Sequence, residues 1–575
     1  MSFYPTPSHL TRADLLLINP DFSKNELGVA SAPENHLGLN RIASYLADRG
    51  HTVQVMDTTG RPSGTTGPEE LGDWLLANAD NYEAIGFHSN SWNINHILRT
   101  LKRALPKLKD KRLLFGGPLP NSEPLKTTEL FSAQGLNHIG VVQGLGEKIT
   151  DEILRKDKLL GIDSLWAFEK GQLQRGRKVA MTSDEYEKTP FLGLQHNTFY
   201  QNYWKPAMES GDLGKYPMDI IFSSQGLDCN RGCVFNCTYC SVPQYEKSLI
   251  LMSPKRVVDE LEHLAKEAGF FMFTFTNSNI MFFQQEWIEA FCREIIGRGM
   301  DSYLNWTAYH HPSIIAPLSI SVYDLMRKAG SDTLVFGVQS FEEKINKLFL
   351  RPQNTRQLTG QIIEKCKQAK LHAAVDYITG VPGENLDIVE EAFDYFIAND
   401  VECRNYQLKF YPNTKLPTMG LDLSDHDLVP ITGNLAPELE AYGVVPKKPN
   451  PRAAELDSKI REHNAALAAR RKPRLGKYVL DTPERAREAL KDIQKNAGIP
   501  PKVKEAMTLA IREMLNPKKP SSGLADLSPA EMMKVVITAG PDSPPMVQAM
   551  QNKLRAELGP AKFAKLRAQY ENAGL

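Results

Sequence analysis

The segment Cys-Asn-Arg-Gly-Cys-Val-Phe-Asn-Cys-Thr-Tyr-Cys, residues 229–240, decides how the rest of the chain is read. Cys233, Cys237 and Cys240 form a C-x3-C-x2-C array. Thiolates three and four residues apart on a loop can converge on one soft metal centre. Three ligands rather than four would leave one iron of a [4Fe-4S] cluster open to a substrate or cofactor. Cys229 starts no second register, because the gap after Cys233 is three residues and not two. The competing reading is a structural zinc site with Cys229 as fourth ligand, although zinc sites more often pair separated C-x2-C units.

Working outward, the array follows a candidate strand, Asp219–Ser223, that opens a strand–helix series. Further candidate strands are Phe271–Phe275, Tyr303–Thr307, Thr333–Val338, Ala373–Thr379 and Asn405–Tyr411. Between them lie helical patterns at Pro254–Ala268, Gln285–Gly297, Val322–Ala329 and Leu386–Ala398. Six such units fit a partial (β/α)6 barrel, with the active site at the strand C-termini.

Upstream, the apolar runs Asp14–Ile18, Thr52–Met56, Ala84–His88, Arg112–Phe115 and His138–Val142 alternate with amphipathic stretches such as Leu37–Asp48, Ile94–Leu105 and Lys148–Leu154. That pitch predicts a doubly wound, Rossmann-like α/β domain, its parallel sheet covered on both faces. Ligands of such sheets sit beyond the carboxyl ends of the strands. Residues 155–215 show weak periodicity and read as a connector. From about 430 the composition turns to Ala, Lys, Arg and Pro with helical patterns at Pro483–Ala497 and Pro501–Leu515. The expected division is 1–165, connector 166–215, barrel 216–430, and a mainly helical domain 431–575 expected to cover the barrel mouth.

Composition narrows the class. The chain has 575 residues, 68 Lys and Arg against 68 Asp and Glu, and 42% hydrophobic residues, so large cores are possible and wholesale disorder is not expected. No apolar run reaches the roughly 18 to 20 residues that cross a bilayer. The N-terminus has no basic head or long apolar stretch, so a signal peptide is not expected. Seven cysteines, clustered rather than paired, point to a reducing compartment, and a cytoplasmic location is expected. Residues 431–575 hold 25 Lys and Arg against 16 Asp and Glu. A basic module suits an anionic partner. Interleaved acidic residues favour a solvated helical surface instead, and nucleic acid is not expected as a partner.

The cysteine array after a strand resembles the signature of radical S-adenosylmethionine (SAM) enzymes, and the resemblance runs over roughly residues 216–415. Phe-Gly-Val-Gln-Ser, 336–340, resembles the family's fourth-strand segment, with Gln339 where Glu is usual; SAM contacts at Gln339 and Ser340 are implied. Thr-Gly-Val-Pro-Gly-Glu, 379–384, resembles the fifth-strand turn under the adenine, which implicates Gly380 and Pro382. Tyr-Pro-Asn-Thr-Lys-Leu, 411–416, resembles the sixth-strand end, and Tyr239 matches a position beside the adenine. The second strand ends Thr274-Phe275-Thr276-Asn277-Ser278 rather than Gly-Gly-Glu, leaving Asn277 as the candidate for the SAM amine.

The upstream domain resembles the cobalamin-binding domain of one subgroup. That resemblance implicates Ser89, Asn90 and Ser91 after the third strand, Gly116, Gly117 and Pro118 after the fourth, and Gly144, Gly146 and Glu147 after the fifth. Adjacent glycines at a strand end let a backbone approach a ligand closely. No Asp-x-His-x-x-Gly is present, so the usual lower axial histidine is not supplied, and Arg61 beyond the second strand is the candidate for the lower corrin face. An ordinary doubly wound domain with a surface arginine is the alternative.

The family thus implied is that of cobalamin-dependent radical SAM methyltransferases, with a [4Fe-4S] cluster, SAM and cobalamin, also as methylcobalamin, for cofactors. In the family scheme one SAM methylates cob(I)alamin and another yields a 5′-deoxyadenosyl radical; the substrate carbon radical then takes the methyl group. The layout resembles the tryptophan 2-C-methyltransferase of thiostrepton biosynthesis, a member acting on an aromatic carbon. Tyr303 and Tyr309, near the third-strand end, are candidate proton-handling groups, with ordinary barrel tyrosines as the alternative. The implied partners are a small-molecule, amino-acid or peptide substrate and an electron donor such as flavodoxin or ferredoxin, with no membrane. Cys292, Cys366 and Cys403 read as buried small hydrophobes. A cobalamin-dependent cyclase or ring-rearranging enzyme, and a non-catalytic cobalamin-binding partner protein, are the rival functions.

Overall fold

A computed structural model of the chain describes residues 12–20, 36–58, 67–156, 158–211, 225–242, 249–275, 284–432 and 436–515. The expected strand Asp219–Ser223 and the candidate residues Arg61 and Asn277 lie outside the described residues.

The chain begins as strands and helices in alternation: β1 Ala13–Asn19, α1 Leu37–Ala47, β2 Val53–Asp57, α2 Pro68–Asn78, β3 Tyr82–His88, α3 Ile94–Leu108, β4 Arg112–Gly116, α4 Pro118–Ser122, α5 Pro124–Ser132, β5 His138–Val142 and α6 Gly146–Arg155. The five strands pair in parallel in the order β2-β1-β3-β4-β5. Leu15, Leu16, Leu17 and Ile18 are all buried, as expected where helices cover both faces of a parallel strand. On α3 the buried residues Ile94, Ile97, Leu98, Leu101, Ala104 and Leu108 fall three and four apart, which is the stripe that meets the sheet.

The sheet does not stop at β5. An antiparallel hairpin, β6 Leu165–Glu169 and β7 Gln172–Arg175, extends it to seven strands from within the stretch read as a connector. Its two-residue turn is Lys170-Gly171, both at positive φ (50° and 87°), the geometry that keeps a tight hairpin twisted correctly. Lysine at the first turn position hides this signal, which is strongest as Asn-Gly or Asp-Gly.

The second sheet is an open, all-parallel run of six strands: Gln225–Leu227, Met272–Phe275, Asn305–His310, Ser331–Gln339, His372–Thr379 and Glu402–Gln407, in sequence order. Its helices wrap one side. The first, Pro254–Ala268, starts where the Ser253 side chain accepts the Arg256 N–H and proline takes the first position; it stops at left-handed Gly269. The first and sixth strands are the edges of the open barrel. The sixth is covered by the helix Pro451–Arg470, whose Asn464 amide exchanges hydrogen bonds with the backbone N–H and carbonyl of Cys403 at 3.0 and 2.7 Å. A side-chain amide here does what a seventh strand would do, and closes an edge that could pair elsewhere.

Downstream, a three-stranded sheet of Lys409–Phe410, Tyr442–Pro446 and His426–Pro430 lies at the barrel mouth. Of the region from 431, Tyr442–Pro446 thus stands at the mouth, with the Val444 carbonyl accepting from Gln407 Nε2 at 2.8 Å, while the described segments after Arg470 lie elsewhere. Arg471 pairs with Asp332, and the Gly476 N–H donates to Asn305 Oδ1 at 2.6 Å, both at the strands' N-terminal ends. The helix Pro501–Leu515 packs on Pro254–Ala268 on the outside.

The two halves are joined by a buried ionic network rooted at the cysteine loop. Arg41 of α1 donates to Asp228 Oδ1 at 2.9 and 2.8 Å and to Glu260 at 2.7 and 2.9 Å. Arg231 reaches Asp228 Oδ2 at 2.7 Å and Glu147 at 3.6 Å, Arg256 holds Glu260 at 3.0 Å, and the Tyr186 hydroxyl donates to Asp228. Three guanidinium groups thus face three carboxylates out of water. Burial alone would raise the Asp228 pKa, but Arg41 and Arg231 hold it well below the usual carboxylate range.

Candidate cofactor site

The cysteine loop follows the first barrel strand, at the end where the strands terminate. Cys233 and Cys237 are buried and Cys240 half-buried. Burial raises the thiol of Cys233 and pushes that of Cys240 up to about 11. Thiolates at neutral pH therefore need positive charge beside them, whether from a metal centre or from the protein. The protein contributes Arg351, whose Nε lies 3.1 Å from Cys237 Sγ and which also donates to the Gly337 carbonyl at 3.0 Å. Its loop is fastened to the fourth strand: the Asn354 amide donates to the carbonyls of Gly337 and Val338, and the Asn346 amide to those of Ser340 and Asn354.

A cluster and a single ion ask different spacings of their sulfur ligands. Among the described residues, no three His, Cys, Asp or Glu side chains gather tightly enough to hold one metal ion. A tetrahedral zinc with 2.3 Å bonds would require sulfurs about 3.8 Å apart. A four-iron cluster places each thiolate on a different iron, so its ligand sulfurs stand farther apart than those around a single ion. Cys229 is fully buried with its Sγ directed at Asn230 Oδ1, 3.6 Å away.

Around the triad the barrel supplies further aromatic and polar groups. The Tyr239 ring packs edge-on against Phe349 at 4.8 Å and lines, with Ile378, Leu408, Lys409 and Tyr411, a cavity of about 190 Å³. Gly380, in the left-handed region, and buried Pro382 form the turn after the fifth strand. Gln339 sits in a bulge of the fourth strand at φ 67°, an unusual conformation for a side-chain-bearing residue and a common companion of ligand sites. Gly337 makes this possible: a Cβ there would lie 2.2 Å from Gln339 Nε2 and 3.1 Å from Arg351 Nη1. Ser340 is spent locally, accepting the Glu342 N–H at 3.0 Å.

Sequence reasoning missed three groups here. Asp376, next to Arg404 in register, has a buried Oδ1 without a hydrogen-bond partner, and burial pushes its pKa up to about 6. His311 stacks on Phe235 of the cysteine loop at 3.8 Å, and its Nε2 is likewise buried without a partner. Arg351 is the third. The tyrosine candidates separate: Tyr309 points its hydroxyl at Arg404 Nη1, 3.1 Å away, in the barrel interior. Tyr303 instead precedes its strand and packs against Gly476 at the opposite end of the barrel, so the structure does not bring it to the cysteines.

On the N-terminal sheet, Ser89, Gly116, Gly117 and Gly144 share the C-terminal rim. Gly117, at φ 109°, is required by close approach, since a Cβ would lie 2.7 Å from the Ser89 carbonyl oxygen. Gly116 and Gly144 have open space where a Cβ would stand. The Ser89 hydroxyl is buried without a partner and Ser91 is buried. The other candidates make local contacts, although Glu147 keeps a buried Oε2 without a hydrogen-bond partner among the described residues. Asn90 accepts the N–H groups of Trp92 and Asn93, Pro118 starts α4, Gly146 packs on Ile42, and Glu147 faces Arg231. The same rim carries a pair the sequence reading missed, His36 and His88, with Nε2 and Nδ1 2.6 Å apart.

The two rims meet. The Lys409 ammonium sits 3.9 Å from the centre of the Trp92 ring, and the Asn413 amide donates to the Ser122 carbonyl. The ends of the N-terminal strands therefore face the barrel mouth beside the cavity at Tyr239.

Buried histidines fix a pH response. Burial keeps His36, His196 and His310 neutral down to about 4 and His311 to about 3, and lowers His88 as well. The unfolded chain binds these protons near 6.5, so their contribution is present above 6.5 and lost as pH falls toward 4; each tenfold loss of proton affinity on folding corresponds to about 1.4 kcal/mol. Asp376 and Glu384, raised to about 6 and about 7, act in the opposite direction but are outnumbered. Thermal melts of cofactor-free protein should fall steadily from pH 6.5 to 4.5, and a rising melting temperature over that range would contradict these burials.

Residues 228–396 match the model of the radical SAM superfamily. The chain is 29% identical over 284 residues to an uncharacterised methyltransferase of Pyrococcus horikoshii, an alignment covering 48% of this chain and 56% of that protein. The chain thus spans little more than half of that relative's length. Two solved cobalamin-dependent radical SAM enzymes share the overall fold. The TsrM methyltransferase of Kitasatospora setae, solved with cobalamin and a [4Fe-4S] cluster, superposes with TM-score 0.55 at 18% identity, over 80% of this chain and 89% of that one. OxsB with aqua-cobalamin superposes with TM-score 0.58 at 12% identity, over 88% and 80%. Among the described residues no helix is long and apolar enough to cross a membrane.

Proposed function

We propose that the protein is a cobalamin-dependent radical SAM methyltransferase, moving a methyl group from SAM to a carbon of a small-molecule, amino-acid or peptide substrate. The observation that carries this reading is the meeting of the two strand-end rims through Lys409–Trp92 and Asn413–Ser122, which sets the two proposed cofactor sites side by side. When bound, the cluster with SAM and the cobalamin supply the methyl donor, the low-potential electron and the methyl carrier.

The chain's own residues hold and orient. Cys233, Cys237 and Cys240 are the cluster ligands, and Arg351 balances their charge beside Cys237. Asp376 offers its orphaned oxygen to a diol, while Tyr239, Gly380 and Pro382 form the wall and floor for an adenine. Gln339 and, by its sequence position just past the second strand, Asn277 are proposed SAM contacts, and Arg61 is kept for the lower corrin face. Tyr309 is the candidate for moving a proton in the barrel interior; Tyr303, at the far end, has no access to the reacting atoms. We place the protein in the cytoplasm with a flavodoxin or ferredoxin as electron donor, since the cluster requires a reducing compartment.

The test is the fate of [methyl-13C]SAM with reconstituted protein, cobalamin and a low-potential reductant. Label leaving SAM to give S-adenosylhomocysteine is expected. Methionine and 5′-deoxyadenosine, with all label kept in methionine and no S-adenosylhomocysteine, would favour the cyclase alternative.

A further inference from the structure

The N-terminal sheet changes direction between β1 and β3. The chain leaves β1 through α1 toward one edge and leaves β3 through α3 toward the other, so a crevice opens at the carboxyl ends of these two strands. His36 caps α1 on one side of it, and His88 is the last residue of β3 on the other. Their rings meet edge to face with centroids 4.1 Å apart.

The hydrogen bonds order the protons. The Leu39 N–H donates to His36 Nδ1 at 3.2 Å, so that nitrogen carries a lone pair and the His36 proton resides on Nε2. This Nε2–H donates to His88 Nδ1 at 2.6 Å. In the neutral ring the remaining proton of His88 is then on its own Nε2. That atom is shut off from solvent and has no hydrogen-bond partner among the described residues. An orphaned buried donor is destabilising, and the neighbouring Ser89 hydroxyl is a second one. Burial keeps both imidazoles uncharged.

We propose that His36 locks His88 as a hydrogen-bond donor to bound cobalamin, so that His88 Nε2–H holds an oxygen acceptor of the corrinoid and does not ligate cobalt. The inference rests on the cobalamin site proposed above. The corrin periphery is ringed by amide carbonyls and carries a phosphate on its tail, both acceptors of the kind an orphaned N–H takes up. A nitrogen that bears a proton has no lone pair to give a metal, so the helix cap that fixes His36 also decides the role of His88. His88 is a positioning residue for the cofactor.

The experiment uses the full-length protein and cob(II)alamin as probe, with binding measured by equilibrium dialysis and cobalt coordination by electron paramagnetic resonance. In protein carrying 15N-histidine, the spectrum should match that of unlabelled protein. His88→Ala should weaken binding about tenfold, the loss of one well-placed hydrogen bond. His88→Gln, which keeps an N–H donor and guards against a folding defect, should stay within about threefold of wild type. Nitrogen splitting that changes with the 15N label would make His88 a ligand and overturn the proposal. Unchanged affinity in His88→Ala would overturn it too, while leaving the cobalamin reading intact. Failure of the wild-type protein to bind cob(II)alamin would instead remove that reading, and the inference with it.

Discussion

Protein carrying Cys237→Ala is expected to lose its cluster altogether, with iron falling from about four atoms per chain to background and the visible thiolate-to-iron absorbance disappearing. Cys237 is the buried member of the triad that Arg351 approaches, at 3.1 Å, so its loss removes a ligand and leaves that guanidinium facing a vacated position. Two thiolates cannot hold a four-iron cluster against solvent. The informative control is Cys229→Ala. A zinc site with four cysteine ligands would suffer equally from either substitution. A three-cysteine cluster should tolerate the loss of Cys229, whose side chain faces Asn230. Full iron in Cys237→Ala, or loss of metal in Cys229→Ala with the fold retained, would contradict the assignment.

Arg41→Met is expected to be the most destabilising single change outside the cofactor site, by about 3–5 kcal/mol. Arg41 is 1% exposed and makes four hydrogen bonds to Asp228 and Glu260. Removing it leaves two buried carboxylates sharing two guanidinium groups, Arg231 and Arg256, so part of their charge is no longer balanced out of water. Because Asp228 lies five residues before Cys233, the effect should reach the cluster: iron incorporation should fall with stability. Denaturant unfolding of Arg41→Met and of Arg41→Met/Asp228→Asn tests this, since the double variant removes the stranded charge and should recover part of the loss. A midpoint unchanged in Arg41→Met would mean that the network does not hold the two halves together.

What could be read from sequence was whatever local spacing encodes. The cysteine array is compact because its three ligands serve one centre. The helix Pro254–Ala268 announces both ends through Ser253-Pro254 and Gly269. The parallel strands appear as apolar runs since both faces are covered. What stayed hidden depends on contacts distant in sequence: Arg351 meets Cys237 across 114 residues, His36 meets His88 across 52, and Arg41 meets Asp228 across 187. No periodicity marks these positions. The displacement of Tyr303 has a smaller cause. The third strand begins at Asn305, and Tyr303 belongs to the turn before it, where its ring is buried like that of a strand residue. Asn464 shows the reverse case, a polar helix residue whose use as a strand substitute is visible only once Cys403 lies beside it.

The most direct measurement is metal and cofactor counting on protein purified without oxygen and supplied with iron, sulfide and cobalamin. About four irons and one cobalamin per chain are expected, with the three-cysteine cluster giving an electron paramagnetic signal that shifts when SAM is added. A preparation that takes up zinc but no iron–sulfur cluster, or a cluster with no cobalamin, would contradict the account of a two-cofactor methyltransferase.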